Sequence, residues 1–317
     1  MGGEKTALVL GAAGGVGFET AKALARHGWR VRGLVRRPEA APDFPEIKWL
    51  QGDAMAPEDV RQAAVGATII VHAVNPPGYK DWDKLVLPMV ENSIAAAAAV
   101  GARIILPGTI YNYGPDAFPV LSEASPQNPT TRKGAIRAEM ERRLETAVSE
   151  GAQTVVLRAG DFFGPYNGNS WFTQALVKPG APVKAVTYPG KRKVGHAWAY
   201  LPDFAETIAR LADREAELAE FDTFHFAGHY FGEGVEFADD IRRAAGAEKA
   251  PIRNFPWMAL GALSPFARKL RELNEMRYLW MSEVRLDNTK LKAFLGEEPH
   301  TPIDKALHAS LEAIGCL

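Results

Sequence analysis

The chain has 317 residues, of which 47% are hydrophobic and 24% are charged, and its 37 Lys and Arg against 38 Asp and Glu leave a formal net charge of −1. This composition is that of an ordinary soluble protein, so it excludes disorder and gives no electrostatic reason to expect nucleic acid or an acidic membrane as a partner. The length suits two modest domains or one large α/β unit.

The cysteine content and the N-terminus bear on the cellular location. Cys316 is the single cysteine, so no disulfide can form within the chain, and a reducing compartment is expected. No stretch approaches the roughly 18 to 20 apolar residues of a membrane span. The first residues also lack the hydrophobic region of a secretory signal. We therefore expect a cytoplasmic protein without membrane contact.

The first half of the chain alternates short β-branched runs with helix-like segments, which predicts parallel strands joined by crossover helices. The predicted strands are Thr6–Leu10, Trp29–Val35, Ile47–Gln51, Ile69–Ala73, Arg103–Leu106 and Thr154–Leu157. The predicted helices are Val16–His27, Pro57–Ala64, Leu87–Val100 and Arg132–Ser149. This alternation is typical of an α/β fold with a doubly wound parallel sheet of the Rossmann type.

Beyond residue 160 the pattern is looser, and segments rich in glycine, proline and aromatic residues separate the helix-like stretches. These stretches are Pro202–Arg214, Phe237–Ala245, Pro265–Leu279 and Asp287–Leu295. We interpret residues 1–160 as an NAD(P)-binding Rossmann domain. Residues 161–317 are then a small substrate-binding region interleaved with the last strands and helices of the same fold. The aromatic residues of its loops either pack against the sheet or line a pocket for an organic substrate.

A glycine-rich loop between the first strand and the first helix is the strongest local signal. Gly11 permits the tight turn, Gly14 lets the backbone approach a pyrophosphate, and Gly17 lets the helix pack closely on the strand. The helix N-terminus would supply amide donors to the anion. The sequence therefore predicts a dinucleotide site whose loop also includes Ala13, Gly15 and Val16.

The end of the second strand bears on which dinucleotide is held. An acidic residue there would bind the ribose hydroxyls of NAD, whereas arginine would accept the 2′-phosphate of NADP. The chain has Arg36 and Arg37 at this point and no acidic residue nearby, so NADP(H) is predicted and NAD is the alternative. Both arginines could instead only solubilise the sheet edge. Asp53 and Ala54, after the third strand, either contact the adenine or form a plain turn before a helix.

These features resemble the short-chain dehydrogenase/reductase superfamily. In its length and C-terminal half the chain is similar to the extended branch, the NAD-dependent epimerase/dehydratase family. The matches beyond the glycine loop are Asp53, Val71–Ala73, Asn92, Thr109, Tyr113–Pro115, Arg158–Pro165 and Asp287–Gly296. The resemblance implies a Rossmann fold, a nicotinamide cofactor, and contacts to it from Ala73, Val74 and Asn75 after the fourth strand.

The family's catalytic residues are an asparagine, a serine or threonine, and the tyrosine and lysine of a Tyr-x-x-x-Lys helix. Asn92 matches the asparagine and Thr109 matches the hydroxyl. Where the tyrosine and lysine are expected, the chain has Lys133 and Arg137. The motif is therefore broken, and the resemblance places the chain among the atypical members.

The substituted residues leave several roles open. Arginine stays protonated, so Arg137 cannot exchange a proton, and it would hold the ribose. Lys133 could act as the general acid if burial lowers its pKa, or it could anchor an anionic substrate or the cofactor phosphates. Tyr111 and Tyr113 follow Thr109 closely, and either phenol could supply the missing acid or serve only in packing.

The carboxyl edge of an open α/β sheet is where ligands bind, and this edge should carry the substrate site. We expect the substrate site to be lined by Tyr79, Trp82, Tyr111, Asp161, Phe162, Trp171 and Trp198. His196 is interpreted as a hydrogen-bonded residue, with catalysis as the alternative. No set of residues has the spacing of a metal site.

The sequence predicts an NADP(H)-dependent oxidoreductase or epimerase-like enzyme that acts on a small carbonyl, alcohol or sugar-type substrate. Thr109 would hold the reacting oxygen, and Tyr111 or Lys133 would transfer the proton. The alternative is a catalytically silent NADP(H)-binding sensor, in which the broken motif reflects lost chemistry. An alanine-rich helix over Ile94–Val100 also permits a homodimer.

Overall fold

A computed structural model of the chain describes residues 5–76, 81–166, 170–264 and 268–317. The strands in chain order are β1 (Thr6–Leu10), β2 (Arg30–Val35), β3 (Ile47–Gln51), β4 (Ile69–His72), β5 (Arg103–Thr109), β6 (Val120–Leu121), β7 (Thr154–Ala159), β8 (Asp161–Phe163), β9 (Val186–Tyr188), β10 (His196–Tyr200), β11 (Phe221–Phe226), β12 (His229–Phe231), β13 (Ile252–Asn254) and β14 (Arg285–Leu286).

The helices in chain order are α1 (Gly15–Arg26), α2 (Pro57–Ala64), α3 (Trp82–Val100), α4 (Arg132–Thr146), α5 (Leu201–Asp213), α6 (Glu236–Ala244), α7 (Trp257–Leu263), α8 (Arg268–Glu275), α9 (Arg277–Met281), α10 (Thr289–Leu295) and α11 (Ile303–Ala313). None of the helices in the described residues has the length and the apolar content needed to cross a membrane.

A parallel sheet forms the centre of the molecule. In the described part of the chain it has seven strands in the order β11-β7-β5-β4-β1-β2-β3, and every neighbouring pair is parallel. The chain first extends the sheet from β1 towards β3 and then returns to add β4 on the other side of β1. This reversal is the switch point of a doubly wound fold, and ligands bind outside the strand ends at such a point. The predicted fold class is confirmed.

Helices cover both faces of the sheet. Helices α1 and α5 bury apolar residues such as Phe18 and Phe204 against one face. Helices α2, α3 and α4 do so with residues such as Val60, Val90 and Met140 on the other face. A parallel strand between two such layers must be apolar on both sides. For this reason every residue of β1, Thr6–Leu10, is buried.

Aromatic residues of the second half form a separate core beside the main sheet. Strands β12, β10 and β8 make a three-stranded sheet, and its strand β8 directly follows β7 in the chain. Phe163, Trp198, Phe237 and Trp280 pack together in this core and are almost fully buried. Because β8 continues from the carboxyl end of β7, this second core lies next to the ligand-binding edge of the main sheet.

Several predicted boundaries are wrong. Helix α3 begins at Trp82 rather than at Leu87, and the predicted helix over residues 132–149 gives way after Thr146 to a 3₁₀ turn. The predicted helix over residues 265–279 is interrupted between α8 and α9 at Met276, and residues 265–267 lie outside the described residues. Helix α11 and most of the short strands were not predicted. Short strands carry too few residues to show a period.

Candidate active site

The glycine loop folds against the end of β4. Gly11 has φ +78°, and a Cβ there would lie 2.7 Å from the carbonyl oxygen of Ala73. A Cβ on Gly17 would lie 2.3 Å from the carbonyl oxygen of Gly11, so α1 packs directly on the loop. Gly14 has more space, because its nearest neighbour would be the Gly11 oxygen at 3.3 Å. The loop is therefore a glycine cradle at the N-terminus of α1, which fits a pyrophosphate.

A cavity of about 730 Å³ runs from this loop along the carboxyl edge of the sheet. Of the predicted cofactor residues it is lined by Gly11, Ala13, Gly14, Gly15, Val16, Arg36, Arg37, Asp53, Ala54, Ala73, Val74 and Asn75. Of the predicted catalytic and substrate residues it is lined by Trp82, Thr109, Tyr111, Arg137, Asp161, Phe162 and Trp171. The fold thus brings most of the predicted residues into one space.

Asn92 lies beside the cavity rather than in its wall. Its side-chain amide donates a hydrogen bond to the carbonyl oxygen of Ala54 at 2.9 Å. Asp53 accepts a hydrogen bond from the amide of Met55 at 3.0 Å, so the turn over residues 53–55 is held from two sides. The role that the structure supports for Asn92 is to fix this turn, and its assignment as a catalytic residue is not supported.

Thr109 and Tyr111 line the cavity at the end of β5. The Thr109 hydroxyl accepts a hydrogen bond from the Tyr111 amide at 3.3 Å and begins a short 3₁₀ turn. Helix α4 lies against this turn, because a Cβ on Gly134 would be 2.2 Å from the Tyr111 carbonyl oxygen. Gly134 is therefore required for α4 to approach so closely, and the approach fixes the backbone that carries the two hydroxyl groups.

Lys133 does not line the cavity, which contradicts its assignment to catalysis and to cofactor binding. Its ammonium group is buried and forms an ion pair with the Glu272 carboxylate at 2.8 Å. The same nitrogen donates to the Glu272 carbonyl oxygen and lies 4.0 Å from Glu275. Burial lowers the pKa of Lys133, and Glu272 opposes this effect. Lys133 thus ties α8 to α4, and Leu273 of α8 lines the cavity.

Arg137 places a cation in the cavity wall. Its guanidinium donates to the Asn75 side-chain oxygen at 3.3 Å and lies 4.9 Å from the centre of the Trp82 ring. His72 is also in the wall, and its Nδ1 lies 2.8 Å from the Ser93 hydroxyl. Burial and the positive charge of Arg137 lower the pKa of His72 to about 3. His72 is therefore neutral at physiological pH, and Arg137 carries the positive charge at this point.

Asp161, Phe162 and Trp171 contribute another part of the cavity wall. The Asp161 carboxylate is buried and lies 2.9 Å from Nε2 of His196. Trp198 was predicted in this wall, but it is fully buried in the second core, with its ring 4.2 Å from that of Phe237. All five residues of β10 are buried, and Trp198 belongs to the second core. The assignment of Trp198 to the substrate was wrong, and Tyr79 lies outside the described residues.

Tyr113 belongs to a buried network behind the site. Its hydroxyl accepts a hydrogen bond from Arg158 at 2.6 Å and lies 2.9 Å from Nε2 of His225. Arg158 also pairs with Glu141 of α4 at 2.6 Å. Burial raises the pKa of Tyr113 to about 12 and lowers that of His225 to about 3. Tyr113 therefore joins α4, β7 and β11, and it is not a proton donor to the cavity.

Sequence reasoning missed some residues of the wall, namely Ser170, Gln174 and Leu273. These residues belong to no motif, and Leu273 enters the site from a distant part of the chain through the ion pair of Lys133. The sequence predicted a helix that contains both Glu272 and Leu273. Nothing in the sequence indicated which part of the molecule this helix covers. Among the described residues, no group of three or more His, Cys, Asp and Glu side chains could hold a metal ion.

The fold and the cavity define a protein of the dinucleotide-binding α/β class. A sequence model of the NAD dependent epimerase/dehydratase family matches residues 7–226, and the chain belongs to that family. The predicted family resemblance is confirmed. The site residues remain predictions, because membership of a family does not show what each residue does in this chain.

Three solved structures illustrate the similarity of this fold to known proteins. A Burkholderia cenocepacia J2315 protein, provisionally described as an epimerase, has a TM-score of 0.76, 20% identity and 99% coverage of both chains. The enzyme WbmH of Bordetella bronchiseptica, in complex with NAD+, has a TM-score of 0.71, 20% identity and 98% coverage of both. UDP-glucose 4-epimerase from Bifidobacterium longum, in complex with NAD+ and UDP, has a TM-score of 0.73, 17% identity and 98% coverage of both. The TM-scores establish the shared fold, and at 17–20% identity the similarity shows the fold alone.

A ceramide reductase of Caulobacter vibrioides (strain NA1000 / CB15N) is 31% identical over 103 residues. The match covers 31% of this chain and 32% of that relative. The similarity is therefore limited to about a third of either protein.

Two glycine substitutions should separate cofactor binding from folding. A Cβ on Gly14 meets the Gly11 carbonyl oxygen at 3.3 Å, against 2.3 Å for Gly17, so Gly14→Val should weaken NADPH binding at least about tenfold and lower the melting temperature less than a change at Gly17. Gly17→Ala places a Cβ against the Gly11 carbonyl, so it should lower the melting temperature as well. Fluorescence titration and thermal unfolding measure both effects. Unchanged NADPH affinity in Gly14→Val would contradict the position of the pyrophosphate.

A double-mutant cycle tests the ion pair between Lys133 and Glu272. Lys133→Met leaves a largely buried carboxylate without its partner and should cost about 3–5 kcal/mol in urea unfolding. Lys133→Met with Glu272→Leu should recover much of that loss. Arg61→Met breaks the exposed pair with Glu58 and serves as the control, with no measurable change expected. If Lys133→Met weakened NADPH binding without loss of stability, Lys133 would instead serve the cofactor.

Proposed function

We propose that the chain is an NADP(H)-dependent oxidoreductase that interconverts the carbonyl and alcohol forms of a small organic substrate. The observation that carries this proposal is the single cavity that joins the glycine cradle to the hydroxyl groups of Thr109 and Tyr111. Residues 1–160 would hold the cofactor, and residues 161–317 would add substrate contacts such as Asp161, Trp171 and Leu273. The family's dependence on NAD supports the proposal.

The residues at the end of β5 would handle the reacting oxygen. A nicotinamide cofactor, when bound, supplies or accepts the hydride. The Thr109 hydroxyl would donate a hydrogen bond to the substrate oxygen, where negative charge develops during reduction. The Tyr111 phenol would give that oxygen its proton and regain one from solvent after the product leaves, and in the oxidation direction the proton would move the other way. Trp82, Trp171 and Leu273 would keep bulk water from this end.

Tyr111 is the proton donor that we favour over Lys133. Tyr111 lines the cavity beside Thr109, whereas the Lys133 amine is occupied by Glu272. Tyr111 would thus perform the role of the family's missing tyrosine from a different element.

The preference for NADP(H) is supported by the adenosine end of the cavity. Arg36 and Arg37 are exposed and line this end, so their guanidinium groups are available to a 2′-phosphate. In contrast, Arg32 is turned away, because it donates to the Val65 carbonyl at the end of α2. WbmH and the epimerase from Bifidobacterium longum were solved with NAD+, so the preference needs a direct test.

The relatives support two kinds of reaction. Sugar-nucleotide enzymes among the solved structures favour an epimerase or dehydratase. The ceramide reductase favours carbonyl reduction. A cofactor-binding sensor is the second candidate, and the observation that favours it is the Lys133–Glu272 pair, which gives the motif position a structural role.

Removal of the Tyr111 hydroxyl should separate the enzyme from the sensor. If the protein reduces any compound in a panel of aldehydes, ketones and nucleotide sugars, Tyr111→Phe should lower the rate at least about 10²-fold. Its NADPH affinity, measured by fluorescence titration, should stay unchanged. Tyr230→Phe is the control, because that phenol binds Glu283 outside the cavity. Absence of turnover by the unmodified protein on the whole panel would favour the sensor.

The charge at residue 36 should decide between the two dinucleotides. We expect NADP(H) to bind at least about tenfold tighter than NAD(H), which is about 1.4 kcal/mol, because of the contact to the 2′-phosphate. Arg36→Asp should reverse this order. Calorimetric titration with both cofactors measures the two affinities. Equal affinities in the unmodified protein would remove Arg36 and Arg37 from the site.

A further inference from the structure

The wall of the cavity beyond Thr109 is mainly apolar. Trp82, Phe162, Trp171 and Leu273 contribute aromatic and aliphatic surface to it. Tyr111, Ser170 and Gln174 contribute neutral polar groups. Binding sites of this composition take ligands with an apolar body and few polar groups, because the apolar area drives binding and the polar groups orient the ligand.

The charges in this wall disfavour an anionic ligand. Among the described residues that line this end, Arg137 is the one cation, and it already contacts Asn75 and the Trp82 ring. Asp161 adds a carboxylate, which would repel a diphosphate. The other arginines of the cavity, Arg36 and Arg37, lie at the adenosine end. Diphosphate groups are usually held by several cations or bidentate arginines, and this wall supplies no such set from the described residues.

The wall is also supported from behind. His196 holds the Asp161 carboxylate at 2.9 Å, and its ring stacks on Trp280 at 4.0 Å with an interplanar angle of 11°. Trp280 in turn packs edge-on against Trp171 at 5.2 Å. Asp161 and Trp171 are therefore fixed by one aromatic stack that continues into the second core. Because the side chains of this apolar wall are already held in place, they lose little conformational entropy when a flat or hydrocarbon ligand binds.

We propose that this end of the cavity binds a neutral carbonyl compound whose apolar part is about the size of an aromatic ring system, and that it excludes nucleoside diphosphate sugars. Trp171 and Leu273 contact the body, and Asp161 determines specificity by rejecting negative charge. The proposal rests on the proposed function, since it names the substrate class of the same site. It separates this chain from the relatives that were solved with UDP or other sugar nucleotides.

Binding of three probes to the full chain saturated with NADP+ tests the proposal. Acetonaphthone is a neutral aromatic ketone, acetylnaphthoate has the same body with one carboxylate, and UDP-glucose is a nucleotide sugar. Calorimetry or quenching of tryptophan fluorescence should show acetonaphthone binding at least about tenfold tighter than acetylnaphthoate, with UDP-glucose the weakest. Equal or tighter binding of UDP-glucose would overturn the proposal, and so would failure of acetonaphthone to bind.

Two variants assign the discrimination to its residues. Asp161→Asn keeps the shape and removes the charge, so it should tighten acetylnaphthoate several-fold and leave acetonaphthone within about twofold. Trp171→Ala should weaken acetonaphthone at least about tenfold. Asp304→Asn, at an exposed position of α11, is the control and should change neither. An unchanged ratio of the two naphthyl probes in Asp161→Asn would show that Asp161 does not determine specificity.

This experiment also distinguishes failure of the proposal from failure of the proposed function. Binding affinities are measured without turnover, so a silent sensor could still show the expected order of probes. Conversely, if UDP-glucose were bound tightly and turned over, the protein would be an oxidoreductase or epimerase, but the substrate class proposed here would be wrong.

Discussion

The close approach of the glycine loop to the end of β4 is the constraint on which the site depends. Gly11 leaves no space for a side chain between itself and Ala73, and Gly17 lets α1 pack on the same turn. The sheet reverses its direction of growth between β1 and β4, so this approach occurs where an open α/β sheet binds ligands. The cavity begins at this contact and extends along the strand ends to Thr109 and Tyr111.

A buried ion pair holds the helix that supplies Leu273 to the cavity wall. Lys133, at the position where the resemblance predicts a tyrosine, is buried and paired with Glu272. Such a pair is costly to break, so it holds α8 against α4 and places Leu273 in the wall. The ion pair therefore attaches an apolar covering to α4. Under the proposed function, the proton donor is then Tyr111 rather than a residue of α4.

The sequence predicted the fold and the strand, turn and helix around the glycine loop, because the signals there are local. The run Thr6–Leu10 and the glycine spacing after it specify a buried strand, a turn and a helix within a few residues. The substrate end was predicted less well. Whether Lys133 faces the cavity depends on Glu272, which lies 139 residues away, and whether Trp198 lines a pocket depends on packing with Phe237. Such long-range contacts have no periodicity that a single sequence shows.

The proposed function requires that one continuous cavity binds a dinucleotide along the strand ends and presents its reactive end to Thr109 and Tyr111. A crystal structure of the protein with NADP+ tests this claim most directly. The claim predicts the pyrophosphate at Gly14, the 2′-phosphate at Arg36 or Arg37, and the nicotinamide ring within reach of both hydroxyl groups. A nicotinamide ring that lies away from Thr109 and Tyr111, or a cofactor bound outside the glycine loop, would contradict it.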